Sequence, residues 1–299
     1  MLEFRPFDAT DRELVQSYIL NLDFRNCDMA FANMFVWRFL YDTQIAEDNG
    51  FLYVRYWSNS KPYYMLPLGD GDMKNAIGVL LDFASQDNKR FCMQGISPKM
   101  KNKIEQLIPD KFFFTTNRDY ADYLYLRNDL VSLKGKKLQS KRNHINKFKR
   151  QYPNYTVEPI TAQIIPQCIA LSERWLQQNP KNALGNSPLS ENRAIKNAFA
   201  HYDDLGLLGI AIFVEGQLVA FSYGSAINQT TFDVAVEKTN SDFVGAYAMI
   251  NNEFAKYISD SFIYINREED LGIDGLRKSK LSYQPNEILY KYSAKITPI

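Results

Sequence analysis

What most constrains this chain is an order of elements that occurs twice. Near the start, a short strand-like run at Leu2 to Pro6 precedes two stretches with apolar residues at helical spacing, Asp11 to Asn21 and Ala30 to Leu40. Three strand-like runs follow, Asp42 to Glu47, Phe51 to Trp57 and Tyr63 to Leu66, the first two joined through Asn49-Gly50, a dipeptide that favours a tight hairpin. This half closes with a helix at Met73 to Ser85, a strand at Arg90 to Gln94, a helix at Pro98 to Leu107 and a strand at Lys111 to Thr115.

From Tyr120 the order returns. A strand runs to Arg127, then a helix at Lys136 to Gln151, a short strand near Tyr155 to Glu158, and helices at Thr161 to Gln178 and Ser190 to Tyr202. Strands at Leu207 to Val214, Gln217 to Ala226 and Thr230 to Glu237 come next. A helix at Gly245 to Ser259, a strand at Phe262 to Asn266, a helix at Ile273 to Leu281 and one last strand at Ile288 to Ile296 complete the half. Element order repeats although residues do not, which predicts an α/β (α+β) chain of two similar domains, 1–118 and 119–299. A single interleaved α/β domain is the alternative.

The 299 residues, 45% hydrophobic, are enough for two such cores. Lys and Arg number 35 against 34 Asp and Glu, so there is no global field and any anion site must be local. Cys27, Cys92 and Cys168 form no C-x-x-C pair and read as buried, reduced thiols of a cytosolic protein. His144 and His201 sit near no Cys or His cluster, so no metal is implied. The N-terminal residues lack the apolar run of a signal peptide, and no stretch reaches the length of a membrane span. The expectation is a cytoplasmic protein that touches a membrane only peripherally.

Three segments carry chemistry. Lys134 to Arg150 holds eight basic residues and no acid. On a helix, Leu138 and Ile145 share one face while Lys136, Asn143, Lys147 and Arg150 fall on the other, with Lys141 and Arg142 at the flanks. Together with Lys137, these cations suit a phosphate backbone or anionic lipid headgroups; a plain solvated helix face looks the same. In Phe262 to Pro285 an apolar strand ends at Asn266 and runs into Arg267, Glu268, Glu269 and Asp270. Acids before a helix and bases at its end also satisfy the macrodipole alone. Functionally, the carboxyl end of a strand is where open α/β sheets bind ligands. Glu269 or Asp270 there would deprotonate an incoming nucleophile, and Tyr283 would protonate the leaving group. The third segment is Gly245-Ala246, opening a helix whose N–H groups would hold phosphate; with Asn266 it makes the candidate donor-binding set. Gly69-Asp70-Gly71 offers a similar opening, weakened by its own acids.

The element order resembles the GNAT acyltransferase superfamily, and two copies resemble the aminoacyl-tRNA-dependent transferases built from paired GNAT units. Asn33-Met34-Phe35-Val36-Trp37-Arg38, Lys141-Arg142-Asn143, the run Asn266 to Gly272 and Leu276-Arg277-Lys278 look like the phosphatidylglycerol lysyltransferase C-terminal-domain family. That resemblance spans nearly the whole chain. It implies tandem GNAT-like domains, each a mixed, mostly antiparallel sheet flanked by helices. It also implies a transferase using aminoacyl-tRNA as donor, with no cofactor required and an amine or hydroxyl acceptor such as a phospholipid headgroup. CoA-dependent GNAT enzymes place Arg or Gln three residues before a loop glycine and a small residue two after it. Here Asp242 precedes Gly245 and Tyr247 follows, while Leu66 precedes Gly69, so acetyl-CoA or another acyl-CoA is the disfavoured donor. An acyl-CoA N-acyltransferase and a non-catalytic module for anionic surfaces are the alternatives.

Overall fold

The computed structural model describes residues 2–86, 91–178 and 188–297. Its first sheet runs, in spatial order, β1 (Arg5–Pro6), β2 (Gln44–Asp48), β3 (Phe51–Ser58), β4 (Lys61–Met65), β6 (Cys92–Ile96), β15 (Tyr292–Ile296) and β7 (Phe112–Thr116); β5 (Leu68–Gly69) pairs beside β3. The second runs β14 (Glu287–Leu289), β8 (Asp122–Leu126), β13 (Tyr264–Asn266), β12 (Thr231–Thr239), β11 (Gln217–Ala226), β10 (Leu208–Val214) and β9 (Tyr155–Pro159). Each sheet is antiparallel except for one parallel pair, β4 with β6 and β12 with β13. The helices are α1 (Arg12–Ile19), α2 (Phe31–Tyr41), α3 (Met73–Ser85), α4 (Pro98–Leu107), α5 (Arg127–Ser132), α6 (Gln139–Gln151), α7 (Ile165–Gln178), α8 (Pro188–Ala200), α9 (Ala246–Tyr257) and α10 (Asp274–Leu281).

Local chemistry explains the best-matched elements. Asn49 and Gly50 both take positive φ, 47° and 77°, as a two-residue hairpin loop requires. Asp72 caps α3 by accepting the Asn75 N–H at 3.1 Å. Ser97 caps α4 by accepting the Met100 N–H at 3.3 Å, with Pro98 in the first turn. Two expectations need correcting. Arg127–Ser132 is helical although the sequence reading gave it no helix, and Arg90 of the expected strand lies outside the described residues. The single last strand is in fact two: Glu287–Leu289 pairs with β8, then the chain crosses at Tyr290-Lys291 and Tyr292–Ile296 fills the slot between β6 and β7. The expected boundary at 118/119 is therefore crossed by a strand from the far end of the chain, which completes the first sheet.

The second sheet is covered on both faces. On one, Ile145, Phe148, Met249, Ile250 and Phe254 from α6 and α9 meet Ile210, Ile212 and Phe232. On the other, Cys168, Leu171, Ile195 and Phe199 from α7 and α8 meet Phe213, Phe221 and Tyr223, and this core runs on without a break into Phe31, Phe35 and Leu52 of the first unit. Burying one such side chain stabilises by roughly 1.5–3 kcal/mol, so the shared core welds the units together. Polar contacts cross the same seam: Asn228 Nδ2 donates to the Phe24 and Leu22 carbonyls at 2.6 and 3.1 Å, and the Phe35 and His201 rings meet edge to face at 4.9 Å.

Candidate functional site

Strands β12 and β13 pair over only three registers, Thr231 to Asp233 against Tyr264 to Asn266, before β13 stops and β12 continues. Opposite, β12 carries a bulge on β11: Tyr223 faces Val236 and Gly224 faces Val234, leaving Ala235 as the extra residue. Only glycine fits at position 224, because a Cβ there would lie 1.8 Å from the Asp233 carbonyl oxygen. The bulge breaks the alternation, so Asp233, Ala235 and Val236 all line one cleft of about 930 Å³ between the two units. On the facing wall, Asn33, Trp37 and Tyr41 recur every four residues along α2 and so share one helix face.

Past Asn266 the chain turns back sharply. The Asn266 Oδ1 accepts the Glu268 N–H at 2.7 Å, and Glu268 and Leu271 adopt φ of 54° and 51°. Arg267 and Glu268 stay tied to β8 through the Tyr123 carbonyl and N–H, at 3.0 and 3.2 Å. Glu268 and Glu269 thereby reach the cleft.

At the cleft's inner end lies Lys291, the residue at which the chain crosses between sheets. Its side chain is 8% exposed, and its Nζ is 2.9 Å from carboxylate oxygens of both Asp28 and Asp122 and also bonded to Glu269. Burial opposes the ammonium, but Asp122 and Asp28 outweigh it and hold its pKa well above the usual value. Asp122, fully buried on β8, also accepts the Cys27 N–H and an Asn266 Nδ2 hydrogen, both at 2.7 Å. Cys27, Asp122 and Glu269 bring ligand atoms within 4.8 Å of one another, a spacing that suits a metal ion; the positive charge they share is that of Lys291. Burial and the neighbouring Asp122 raise the Cys27 thiol far above its ordinary pKa, which makes it a poor nucleophile.

Two further carboxyls in the cleft have no cation of their own. Asp233 is 1% exposed and its Oδ1 has no hydrogen-bond partner; burial first, then Asp122 and Glu269, push its pKa well up. Glu268 receives an Asn33 Nδ2 hydrogen at 3.4 Å, and burial, followed by Asp233 and Glu269, raises it likewise. Burial raises Glu269 too, against the pull of Lys291. Carboxyls poised in this way exchange protons near neutral pH, which is what acid–base work needs.

Among the residues singled out from the sequence, Glu269 alone of the three expected to be catalytic lines the cleft. Asp270 points away: Arg277 grips it at 2.9 and 2.7 Å, Arg118 at 3.2 Å and the Gly272 N–H at 2.9 Å, with the Tyr123 hydroxyl also donating. A carboxylate with every lone pair engaged anchors the loop and is not free to take a proton. Tyr283 lies in the core on the opposite face of the second sheet, between Lys141 at 4.1 Å and Arg267 at 4.9 Å from its ring centre, and burial pushes it up to about 12. Asn266 is fully buried, with both polar atoms spent on Asp122, Arg25 and Glu268, so it shapes the turn. Gly245, at φ 91°, does permit a close approach, but of α6: a Cβ there would be 2.5 Å from the His144 carbonyl oxygen. Ala246 is buried in the core.

The basic segment divides in the same way. Lys136, Lys137, Lys147 and Arg150 are exposed. Lys141 is half-buried over Tyr283, and Arg142 is tied to the carbonyls of Leu133 and Gly135. The sequence reading missed Asp28, Asp122, Asp233 and Lys291. A lone acid inside an aromatic or β-branched strand, Asp122 in ADYLYL or Asp233 in TTFDVAV, is the signal that points to two of them.

Comparison with known proteins places this geometry. A conserved protein of unknown function from Bacteroides thetaiotaomicron VPI-5482 superposes with TM-score 0.96 at 45% identity, covering 99% of this chain and 100% of the other. L-PGS from Bacillus licheniformis gives 0.67 at 15% identity, covering 97% and 92%. FemX gives 0.61 at 9% identity, covering 99% and 97%, so these last two share the fold. An uncharacterized protein of Mycoplasmoides gallisepticum is 26% identical over 59% of this chain, which spans only 56% of that relative's length. The two units, each a mixed, mostly antiparallel sheet flanked by helices, are tandem GNAT-like units. The family described as phosphatidylglycerol lysyltransferase, C-terminal, matches residues 21–295, and the chain belongs to this family of GNAT-fold aminoacyl transferases.

Proposed function

We propose that this chain moves an aminoacyl group from aminoacyl-tRNA to an amine or hydroxyl acceptor, such as a phospholipid headgroup, within the cleft between its two units. The observation that carries the reading is the pair Glu268 and Asp233, buried carboxyls without a cation at the point where β12 and β13 part. Acyl transfer from an activated ester needs proton removal from the nucleophile and close positioning; carboxyls with raised pKa supply the first and an enclosed cleft the second. Glu268 is the base in this reading, Glu269 fixes Lys291 beside it, and Asp270 holds the loop that carries both. The exposed cations Lys136, Lys137, Lys147 and Arg150 would meet tRNA phosphates or an anionic membrane surface, giving a cytoplasmic protein that works peripherally.

The test is release of radiolabelled amino acid from bulk charged tRNA, with acceptors supplied as phosphatidylglycerol vesicles and as primary amines. Release at a rate that falls about 100-fold or more in Glu268→Gln supports the reading. Charged tRNA left intact, together with saturable acetyl-CoA binding, would move the chain to the CoA-dependent class.

A further inference from the structure

Among the described residues, five carboxyls line the cleft, Asp28, Glu191, Asp233, Glu268 and Glu269, against the single ammonium of Lys291. Glu191 is neutralised by Lys238 at 2.7 Å, and Asp28 and Glu269 share Lys291 with Asp122. Asp233 and Glu268 are left over. The groups facing Asp233 are the acids Asp122 and Glu269 and the more remote cations Lys280 and Lys291. Lys280 spends its Nζ on the carbonyls of Arg267 and Glu269. Asp233 therefore stands 1% exposed, in the wall of the cleft, with an oxygen that no protein group satisfies.

We propose that the Asp233–Glu268 end of the cleft is an ammonium subsite, and that the acceptor entering it is a primary amine, not the phosphate-bearing headgroup of an anionic lipid. This rests on the acyl-ester reading above and narrows its acceptor. A hydroxyl acceptor brings no charge and needs one base, which would leave the second buried carboxyl without a partner. A phosphodiester brings a negative charge into a wall that is already negative. An alkylammonium uses both groups: one carboxylate holds the charge while the other takes a proton. Burial keeps both carboxyls protonated in the empty cleft, and an arriving cation favours their ionised forms. The ammonium gives one proton to Glu268, and the free amine nitrogen then attacks the ester carbonyl carbon. As that C–N bond forms, the C–O bond to the ribose breaks. The second nitrogen proton passes to the ribose oxygen, leaving an amide and uncharged tRNA.

Calorimetric titration of the full chain with n-butylamine, with sn-glycero-3-phosphoglycerol and with alaninamide, at matched ionic strength, reads the subsite without a donor. Saturable butylamine binding, weakened at least 10-fold in both Asp233→Asn and Glu268→Gln, is the expected result. Binding of the phosphoglycerol but not of butylamine overturns the proposal. So does butylamine binding that is unchanged in the two variants, provided circular dichroism shows them folded. Binding of alaninamide alone would give the charge to the donor's own amino group and overturn the acceptor assignment. With labelled charged tRNA added, label appearing on lipid but not on butylamine sinks this inference and leaves aminoacyl transfer standing. Butylamine binding with tRNA left charged does the reverse.

Discussion

Glu269 and Asp270 are adjacent in the chain, yet burial raises the first while the second is pulled down to about 2, where hydrogen bonds from Arg277, Tyr123 and Gly272 outweigh burial. With an unfolded pKa near 3.9, the depressed Asp270 contributes roughly 2–3 kcal/mol of stability above about pH 4, and this is lost as pH falls towards 2. Asp270→Asn is therefore expected to be destabilised by at least that amount at pH 7 in urea titrations, with the gap to the parent narrowing between pH 5 and 3. A gap that stays constant over that range would remove Asp270 as the titrating anchor. The sequence shows two acids at a strand's end but not which of them is held. The choice depends on non-glycine residues Glu268 and Leu271 taking positive φ, so that Arg277, seven residues on, folds back over one carboxylate only. Asp233 was more nearly legible, because an acid among β-branched neighbours has to be explained by something. What it faces was not.

Elements with their own start and stop signals were read closely: α3 and α4 begin at the caps Asp72 and Ser97. Six-residue α5 is too short to show a helical period, and its end is marked by Leu133 at φ 47°, a residue that gives no such signal in sequence. In α6 the apolar stripe of Leu138 and Ile145 was legible, but the fate of Arg142 was not, since its acceptors are carbonyls presented by the turn at Leu133 to Gly135. The α6–α9 contact turns on Gly245. A methyl group there both strains φ 91° and meets the His144 carbonyl oxygen at 2.5 Å, whereas Gly216, at φ 78°, has nothing within 4 Å. Gly216→Ala should thus lose only about 1 kcal/mol, the left-handed strain alone, and Gly245→Ala about 1–3 kcal/mol more, since two packed backbones must separate. Thermal melts of the two variants side by side check this; equal losses would mean that α6 yields at no cost.

At the scale of the molecule, periodicity says that a face is buried but not by what. Two units were therefore legible from the repeated order, while their common core and exchanged strand were not. Residues 287 to 296 read as one continuous strand because each piece satisfies the same alternation, although the pieces belong to different sheets. The crossing places Lys291 among Asp28, Asp122 and Glu269, acids contributed by both units, so the site's one cation arrives only when both sheets are assembled. Folding of either unit alone would leave β6 and β7 without the strand between them, or bury those carboxylates unpaired, and a buried carboxylate stripped of its cation costs about 3–5 kcal/mol. The chain should accordingly unfold in one step. Single-tryptophan variants that keep Trp57 in the first sheet or Trp175 in α7 are expected to give the same urea midpoint, and deletion from Tyr290 onward to abolish the native transition in both. If Trp57 and Trp175 report separate midpoints, the units are independent and the strand exchange is only a tether. Coincident midpoints mean that Lys291 can reach the acids of the cleft only as part of global folding, which makes the cleft's charge balance a property of the whole chain.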